Sequence, residues 1–351
     1  MSDEPASLPY AFGGPAGTGR LRVEPEDFIV RELPICEPDG AGEHVWLWVR
    51  KRNANTEWVA RQLARLAGVT PRDVSFAGLK DRRAVTEQWF SVQLPGKADP
   101  DWAAARIDGV EILRAARHSR KLKRGALRGN AFEIRIRDVT GAREVLDARL
   151  HDIARRGMPN YFGEQRFGRD GGNLDAALAM LKGGGARTPR HLRGLYLSAL
   201  RSFLFNRVLA ARVADGSWER PLPGDVLQLD GRRAWFPADA EDATLAARAA
   251  TLEIHPTGPL WGRGAVAVAD AALRIETECL APFAEIRTGL ERAGLEQDRR
   301  ALRVAVRELR WDWEADDALC LSFSLPSGSY ATALLRELVV SESAANEEEG
   351  E

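Results

Sequence analysis

The sequence predicts an α+β protein whose strand-rich domain is interrupted by an insertion. Three observations carry this. Alternating apolar positions mark strands near the N-terminus, at Phe28 and Val30 and again at Val45, Leu47 and Val49. The alternation returns near the C-terminus, at Leu302, Val304 and Val306, then at Leu319, Leu321, Phe323 and Leu325. Between them, from about residue 157, the texture changes to glycine-spaced loops and a long helix. Strands at both ends of a helix-containing middle describe one domain with another inserted in it. At 351 residues the chain is long enough for two packed cores.

The elements follow in order. Residues 1–19 carry acids, prolines and glycines but no apolar core, so they read as a flexible lead and not a signal peptide. Order starts at Arg22–Glu32. Asn55-Thr56 caps a helix with Val59, Leu63 and Leu66 on its inner side and Gly68 as its stop. Val74 and Phe76 end one strand, and Trp89, Phe90 and Val92 belong to the next. Asn130–Arg137 is the cleanest strand, with Phe132, Ile134 and Ile136 on one face and Glu133, Arg135 and Arg137 on the other. Leu146, Leu150 and Ile153 define a helix from about Arg143 to Arg156, ended by Gly157. In the middle segment, Asn160–Gly168 is an aromatic, glycine-spaced loop, and glycines 183–185 mark a second loop. Leu197, Leu200, Leu204 and Val208 make the long helix. Val226–Leu229 is a strand entering a tight turn at Asp230-Gly231. A turn at Pro326–Tyr330 precedes a last helix with Ala331, Leu334, Leu335 and Leu338 on one side.

Net charge is −1, which does not advertise a nucleic-acid partner, but the distribution does. From Ile112 to Phe132 there is no acid, while Arg114, Arg117, Arg120, Lys121, Lys123, Arg124 and Arg128 lie there. The acidic tail Glu347–Glu351 offsets part of this in the sum. Such a run is either a solvated loop or a grip on phosphates, and its lack of any acid favours RNA. Cys36, Cys279 and Cys320 are too few and too scattered for a disulfide framework or a zinc site, and fit a reducing compartment. No stretch is long and apolar enough to span a membrane. The histidines are scattered, and no HExxH, P-loop or GxGxxG pattern occurs, so no metal, nucleotide or flavin cofactor is expected.

The most informative stretch is Phe76-Ala77-Gly78-Leu79-Lys80-Asp81-Arg82-Arg83-Ala84-Val85-Thr86. One carboxylate, Asp81, sits among Lys80, Arg82 and Arg83 on a loop between two apolar strands. The cations favour its ionised form and could hold a phosphate backbone. Local physics leaves two readings open: a catalytic carboxylate, or an aspartate that pairs with its neighbours and shapes a turn.

The chain resembles the TruD family of tRNA pseudouridine synthases. The resemblance rests on an ordered set: Pro25–Phe28, Ala77–Asp81, Ala84–Trp89, Arg120–Leu122, Gly125–Phe132, Pro159–Gly168 and Leu325–Thr332, together spanning roughly residues 20–340. It implies a pseudouridine-synthase catalytic domain with a mixed, mostly antiparallel sheet, formed by residues 20–156 and 304–351, and an inserted α/β domain at 157–303. It implies isomerisation of uridine to pseudouridine in tRNA, at position 13 for bacterial members, with no cofactor. Asp81 matches the family's single indispensable carboxylate, acting on a base flipped out of its stack. Phe28, Phe132 and Tyr330 match aromatic positions of the site, Tyr330 standing where a phenylalanine is expected. Any of the three could equally be core, Phe132 above all, since it shares a face with Ile134 and Ile136. Asn130 could bond a uracil edge or sugar, or simply start a strand. Arg22 lies near the family's basic position, with Lys80 and Arg82 as rivals for pairing with Asp81. Lys80, Arg82, Arg120, Lys121, Lys123, Arg124 and Arg128 are expected to face the RNA backbone. The expected setting is a cytoplasmic monomer acting on tRNA. The runner-up is a non-catalytic tRNA-binding or RNA-folding factor, against which the intact Asp81 loop argues. A glycoside hydrolase is weaker still, because such sites use two cooperating carboxylates.

Overall fold

The computed structural model describes residues 8–168, 171–184, 188–239 and 241–343. The chain begins with β1 (Gly17–Leu21), β2 (Phe28–Pro34), β3 (His44–Arg52), α1 (Thr56–Leu66), β4 (Val74–Phe76), β5 (Val85–Gln93), β6 (Val110–His118) and β7 (Leu127–Arg137). The middle holds α2 (Arg143–Arg156), β8 (Met158–Pro159), α3 (Gly172–Ala179), α4 (Arg190–Ala214), β9 (Val226–Leu229), β10 (Trp235–Pro237), α5 (Leu245–Ala250), β11 (Ile254–Leu260), α6 (Asp270–Leu280) and α7 (Ala284–Arg292). Then come β12 (Asp298–Ala301), β13 (Arg303–Val304), β14 (Arg307–Ala315), β15 (Ala318–Pro326), α8 (Ala331–Leu338) and β16 (Val339–Ser343).

The chain divides into two compact units. Among the described residues, the sheet unit comprises Gly17–Ala142, Arg307–Gly328 and Val339–Ser343, and the helical unit comprises Leu8–Ala16, Arg143–Val306 and Ser329–Leu338. The expected divisions lay at 156/157 and 303/304. By contacts they fall at 142/143 and 306/307, the first because α2 groups with α8, where Arg149 donates to the Glu337 carbonyl at 2.8 Å. The expected flexible lead is also corrected within its described part. The Glu337 carboxylate accepts from the Ala11 and Phe12 amides at 3.1 and 3.2 Å, and Gly17–Leu21 is a strand. Residues 1–7 and the acidic tail lie outside the described residues.

In the sheet unit the strands run in the order β14-β15-β7-β2-β5-β3-β6, with β1 beside β7 and β16, and β4 beside β5. Pairing is antiparallel except between β2 and β5 and between β1 and β16, which makes a mixed, mostly antiparallel sheet. Register decides which side chains share a face, because paired residues point the same way. Val30 pairs with Phe132 and Thr86, Glu32 with Asn130, and Lys51 with Thr86. Phe28, Val30, Glu32, Asn130, Phe132, Thr86 and Lys51 therefore line one face. Gly129 is required beside Asn130: a Cβ there would lie 2.1 Å from the Leu325 carbonyl oxygen of β15.

Helix α1 starts as its cap residue foretells, the Asn55 side chain accepting from the Glu57 amide at 2.8 Å. Its Val59, Leu63 and Ala64 pack against Leu47, Val49, Phe76 and Phe90. This core fixes β4 and β5, and with them the ends of the loop between. In the helical unit, Leu197, Leu200, Leu204 and Val208 of α4 form the expected stripe and pack against Leu280 and Leu290. A sheet of order β10-β9-β11-β12 lies in this unit. The Asn160–Gly168 segment closes with a turn of 3-10 helix at Glu164–Phe167, and its Tyr161 and Phe162 are buried with Phe205, Leu209 and Trp218.

Candidate active site

The loop between β4 and β5 is fastened to the sheet and to the start of α1. Gln88 Nε2 donates to the Gly78 carbonyl at 3.0 Å. The Lys80 amide donates to Thr56 Oγ1 at 3.1 Å. Lys51 Nζ donates to the Asp81 carbonyl at 2.7 Å and to the Ala54 carbonyl at 2.8 Å. The Lys80 ammonium turns inward onto Glu32 Oε2 at 3.1 Å, and Glu32 also accepts from the Trp89 amide at 3.3 Å. Side chains thus hold the backbone from Gly78 to Asp81, and the Asp81 side chain, 37% exposed, projects from a fixed turn.

Of the three cations expected to compete for Asp81, Arg22 lies within ion-pair reach, its Nη2 3.6 Å from Asp81 Oδ2. Arg22 follows β1 directly in a left-handed conformation, φ +55°, uncommon for a residue with a side chain. Its guanidinium lies 4.1 Å from the centroid of the Phe28 ring. Phe28 meets Phe132 edge to face at 6.3 Å, and Phe132 stacks on Phe323 at 5.2 Å. Both rings are almost wholly buried, so they form an aromatic floor continuous with the core. On the same face the amide oxygen of Asn130 and the hydroxyl of Thr86 are buried and have no hydrogen-bond partner among the described residues. Buried acceptors are nearly always satisfied; an orphan on this face is a place for a donor from a ligand.

The cations expected along the RNA backbone separate into groups. Lys80 is corrected: its side chain is 5% exposed and paired with Glu32, which leaves it no reach to a phosphate. Burial pushes the Glu32 carboxyl up, opposed by the charge and hydrogen bond of Lys80. Arg114 and Arg117, the start of the basic run, lie on β6 and pair with Glu37 and Asp99, acids from outside the run. Arg120, Lys121, Lys123, Arg124 and Arg128 are exposed, as is Arg82, and among the described residues no carboxylate pairs with them. Their loop is tied to the strand that enters the Asp81 loop. The Gly125 amide donates to the Ala77 carbonyl at 2.7 Å and Ser75 Oγ to the Leu122 carbonyl at 2.8 Å. Arg124 stacks on Phe76 at 4.0 Å. A chain of five cations without a carboxylate partner among the described residues is therefore anchored to the strand that enters the Asp81 loop. Tyr330 belongs to the helical unit, where its ring meets Phe162 at 6.1 Å.

A family model described as tRNA pseudouridine synthase D (TruD) matches residues 7–184 and 175–338. The chain belongs to the TruD family. The tRNA pseudouridine synthase D of Methylococcus capsulatus is 53% identical to it over 332 residues, 95% of this chain and 94% of the relative. That of Nitrosococcus oceani is 51% identical over 343 residues, 96% of each. The crystal structure of a Methanosarcina mazei protein assigned to tRNA pseudouridine synthase D (TruD) has a TM-score of 0.72 and covers 95% of this chain and 96% of its own, at 23% identity. At that identity the likeness speaks for the fold, and the mixed α+β architecture is common to both.

What the sequence did not reveal is the support beneath this TruD loop. Glu32, Lys51, Thr56 and Gln88 lack a local signal, since each acts on a residue remote in the chain, such as Asp81 for Lys51. The one hint is compositional: charged or polar side chains at strand positions facing the core, Lys51 and Glu32 being 0% and 3% exposed.

Proposed function

We propose that this TruD-family chain isomerises uridine to pseudouridine in tRNA, at position 13, with Asp81 as the reacting carboxylate. The observation that supports it most is the fixed turn carrying Asp81, with Arg22 at 3.6 Å, above a face with an unpartnered amide oxygen at Asn130. In the reaction the N1–C1′ bond breaks, the uracil rotates, and a C5–C1′ bond forms. A proton leaves C5 and N1 gains one. Nothing is oxidised, hydrolysed or passed to another molecule, so the chemistry needs a carboxylate and a cavity but no cofactor. The ionised Asp81 either attacks C1′ or removes the C2′ proton to give a glycal-like intermediate. In both routes the base must first leave its stack. Asn130 would hold the uracil edge, Phe28 and Phe132 would underlie the site, and Tyr330 would stack on or wall the base. Arg82, Arg120, Lys121, Lys123, Arg124 and Arg128 would bind phosphates, as RNA affinity requires.

No helix among the described residues is long and apolar enough to cross a membrane. We place the enzyme in the cytoplasm as a monomer; its free cysteines suit that compartment. Tritium release from tRNA transcripts labelled at C5 of uridine tests the activity. Release that requires Asp81 is expected. Tight tRNA binding with no release would favour a binding factor instead.

A further inference from the structure

We infer that Lys51 is a positioning residue for Asp81: its buried ammonium sets the turn from which the carboxylate projects and puts a fixed positive charge beneath it. The inference rests on the reading of Asp81 as the reacting carboxylate. Three observations carry it.

The first is place. Lys51 is the penultimate residue of β3, opposite Thr86, and its side chain lies on the same sheet face as Phe28, Asn130 and Phe132. Its chain neighbours face the other way: Arg50 bonds Glu87 and Glu111, and Arg52 bonds Glu26. The second is bonding. Four side chains fasten the loop, but Gln88 holds Gly78, Thr56 holds Lys80, and Glu32 holds the Lys80 side chain. Lys51 is the one that bonds Asp81 itself, at 2.7 Å, and its other bond, to the Ala54 carbonyl, ties that turn to the start of α1. The third is cost. The side chain is 0% exposed, and among the described residues no carboxylate lies within ion-pair distance of Nζ. A buried ammonium on two carbonyls is an expensive way to staple a loop; glutamine could donate to both without a charge. Retaining the charge indicates that the charge is used. Burial pulls Lys51 down to about 8, with the charge of Asp81 opposing that shift and Lys80 adding to it. These are the charged groups that act on it, and Lys80 is itself neutralised by Glu32. The interaction with Asp81 is reciprocal: whatever Asp81 does to the ammonium, the ammonium does to Asp81. A positive charge under the carboxylate offsets part of its repulsion from the phosphates of the polyanionic substrate as the RNA closes over it.

The test uses two readouts on the full chain. Single-turnover rates on a tRNA transcript with uridine at position 13 are followed across pH for wild type, Lys51→Gln and Lys51→Met. Gln keeps donors and loses the charge; Met loses both. In both variants the acid limb of the profile is expected to move up relative to wild type, with tRNA binding within about threefold. Met is expected to lose a further tenfold or more in maximal rate as the turn loosens. Unchanged profiles in folded variants would overturn the inference. Should the variants fail to fold, the coupling is read from the other side. The Lys51 side chain is titrated by NMR of 13Cε-labelled lysine in wild type and in Asp81→Asn. Removing the carboxylate is expected to lower the Lys51 titration, and an unmoved titration would refute the coupling. This second readout needs no turnover, so it stands even if wild type makes no pseudouridine, which would sink the enzymatic reading alone.

Discussion

Lys80 and Glu32 are a buried ion pair, 3.1 Å apart, that fastens the loop from inside. Such a pair adds little over an apolar replacement, but removing one partner leaves an uncompensated charge and costs about 3–5 kcal/mol. Lys80→Met is therefore expected to be strongly destabilised at pH 8. Burial raises the Glu32 carboxyl, so the folded state takes up a proton at a higher pH than the unfolded chain. Stability of the variant then increases as pH falls through that raised range and is lost again as pH rises. Denaturant melts at pH 8 and pH 5.5 check this; a penalty equal at both would mean that Glu32 is not the group left unpaired. Tyr330 poses a different question, because its ring packs on Phe162 in the helical unit. If it touches the flipped uracil, Tyr330→Phe is nearly neutral and Tyr330→Ala slows single turnover, with roughly 1–3 kcal/mol of stacking energy as the guide. A purely structural ring gives instead a lowered melting temperature with normal chemistry at a temperature where the Ala variant stays folded.

At the scale of elements, the basic loop between β6 and β7 is the part of the molecule with most to say about RNA. Neutralising Arg120, Lys121 and Lys123 together is expected to weaken tRNA binding and flatten its salt dependence, by about one unit of slope for each phosphate that the loop no longer neutralises. Turnover at saturating tRNA should change far less. An unchanged salt slope would make this loop a solvated surface and send the RNA path elsewhere. Arg114 and Arg117 show why the sequence overstated the run: acids from remote segments neutralise them, and such pairings are invisible to a count within a window. The elements themselves were legible wherever local rules decide. The alternation of Asn130–Arg137, the Asn55 cap and the leucine stripe of α4 each appear where their periodicity put them. The supports of the Asp81 loop were not, because they depend on strand register. Lys51 comes under Asp81 through the pairing of β3 with β5, which no local pattern encodes.

At the scale of the whole molecule, two units share one chain that crosses between them more than once. The change of texture near residue 157 did not reveal that α2 groups with the helical unit or that Leu8–Ala16 belongs there. Those memberships are made by long-range bonds such as Glu337 to Ala11 and Arg149 to Glu337. A net charge of −1 likewise conceals the cationic loop beside Asp81. The central claim is that Asp81 performs the isomerisation in tRNA while the rest of the sheet unit holds it in place. It is tested most directly by mapping pseudouridine at single-nucleotide resolution in total tRNA from cells lacking this protein, complemented with wild type or with Asp81→Asn. Pseudouridine at position 13 is expected to return with wild type and to stay absent with Asp81→Asn, while the purified variant binds tRNA within a few-fold of wild type. Pseudouridine restored by Asp81→Asn would contradict the claim.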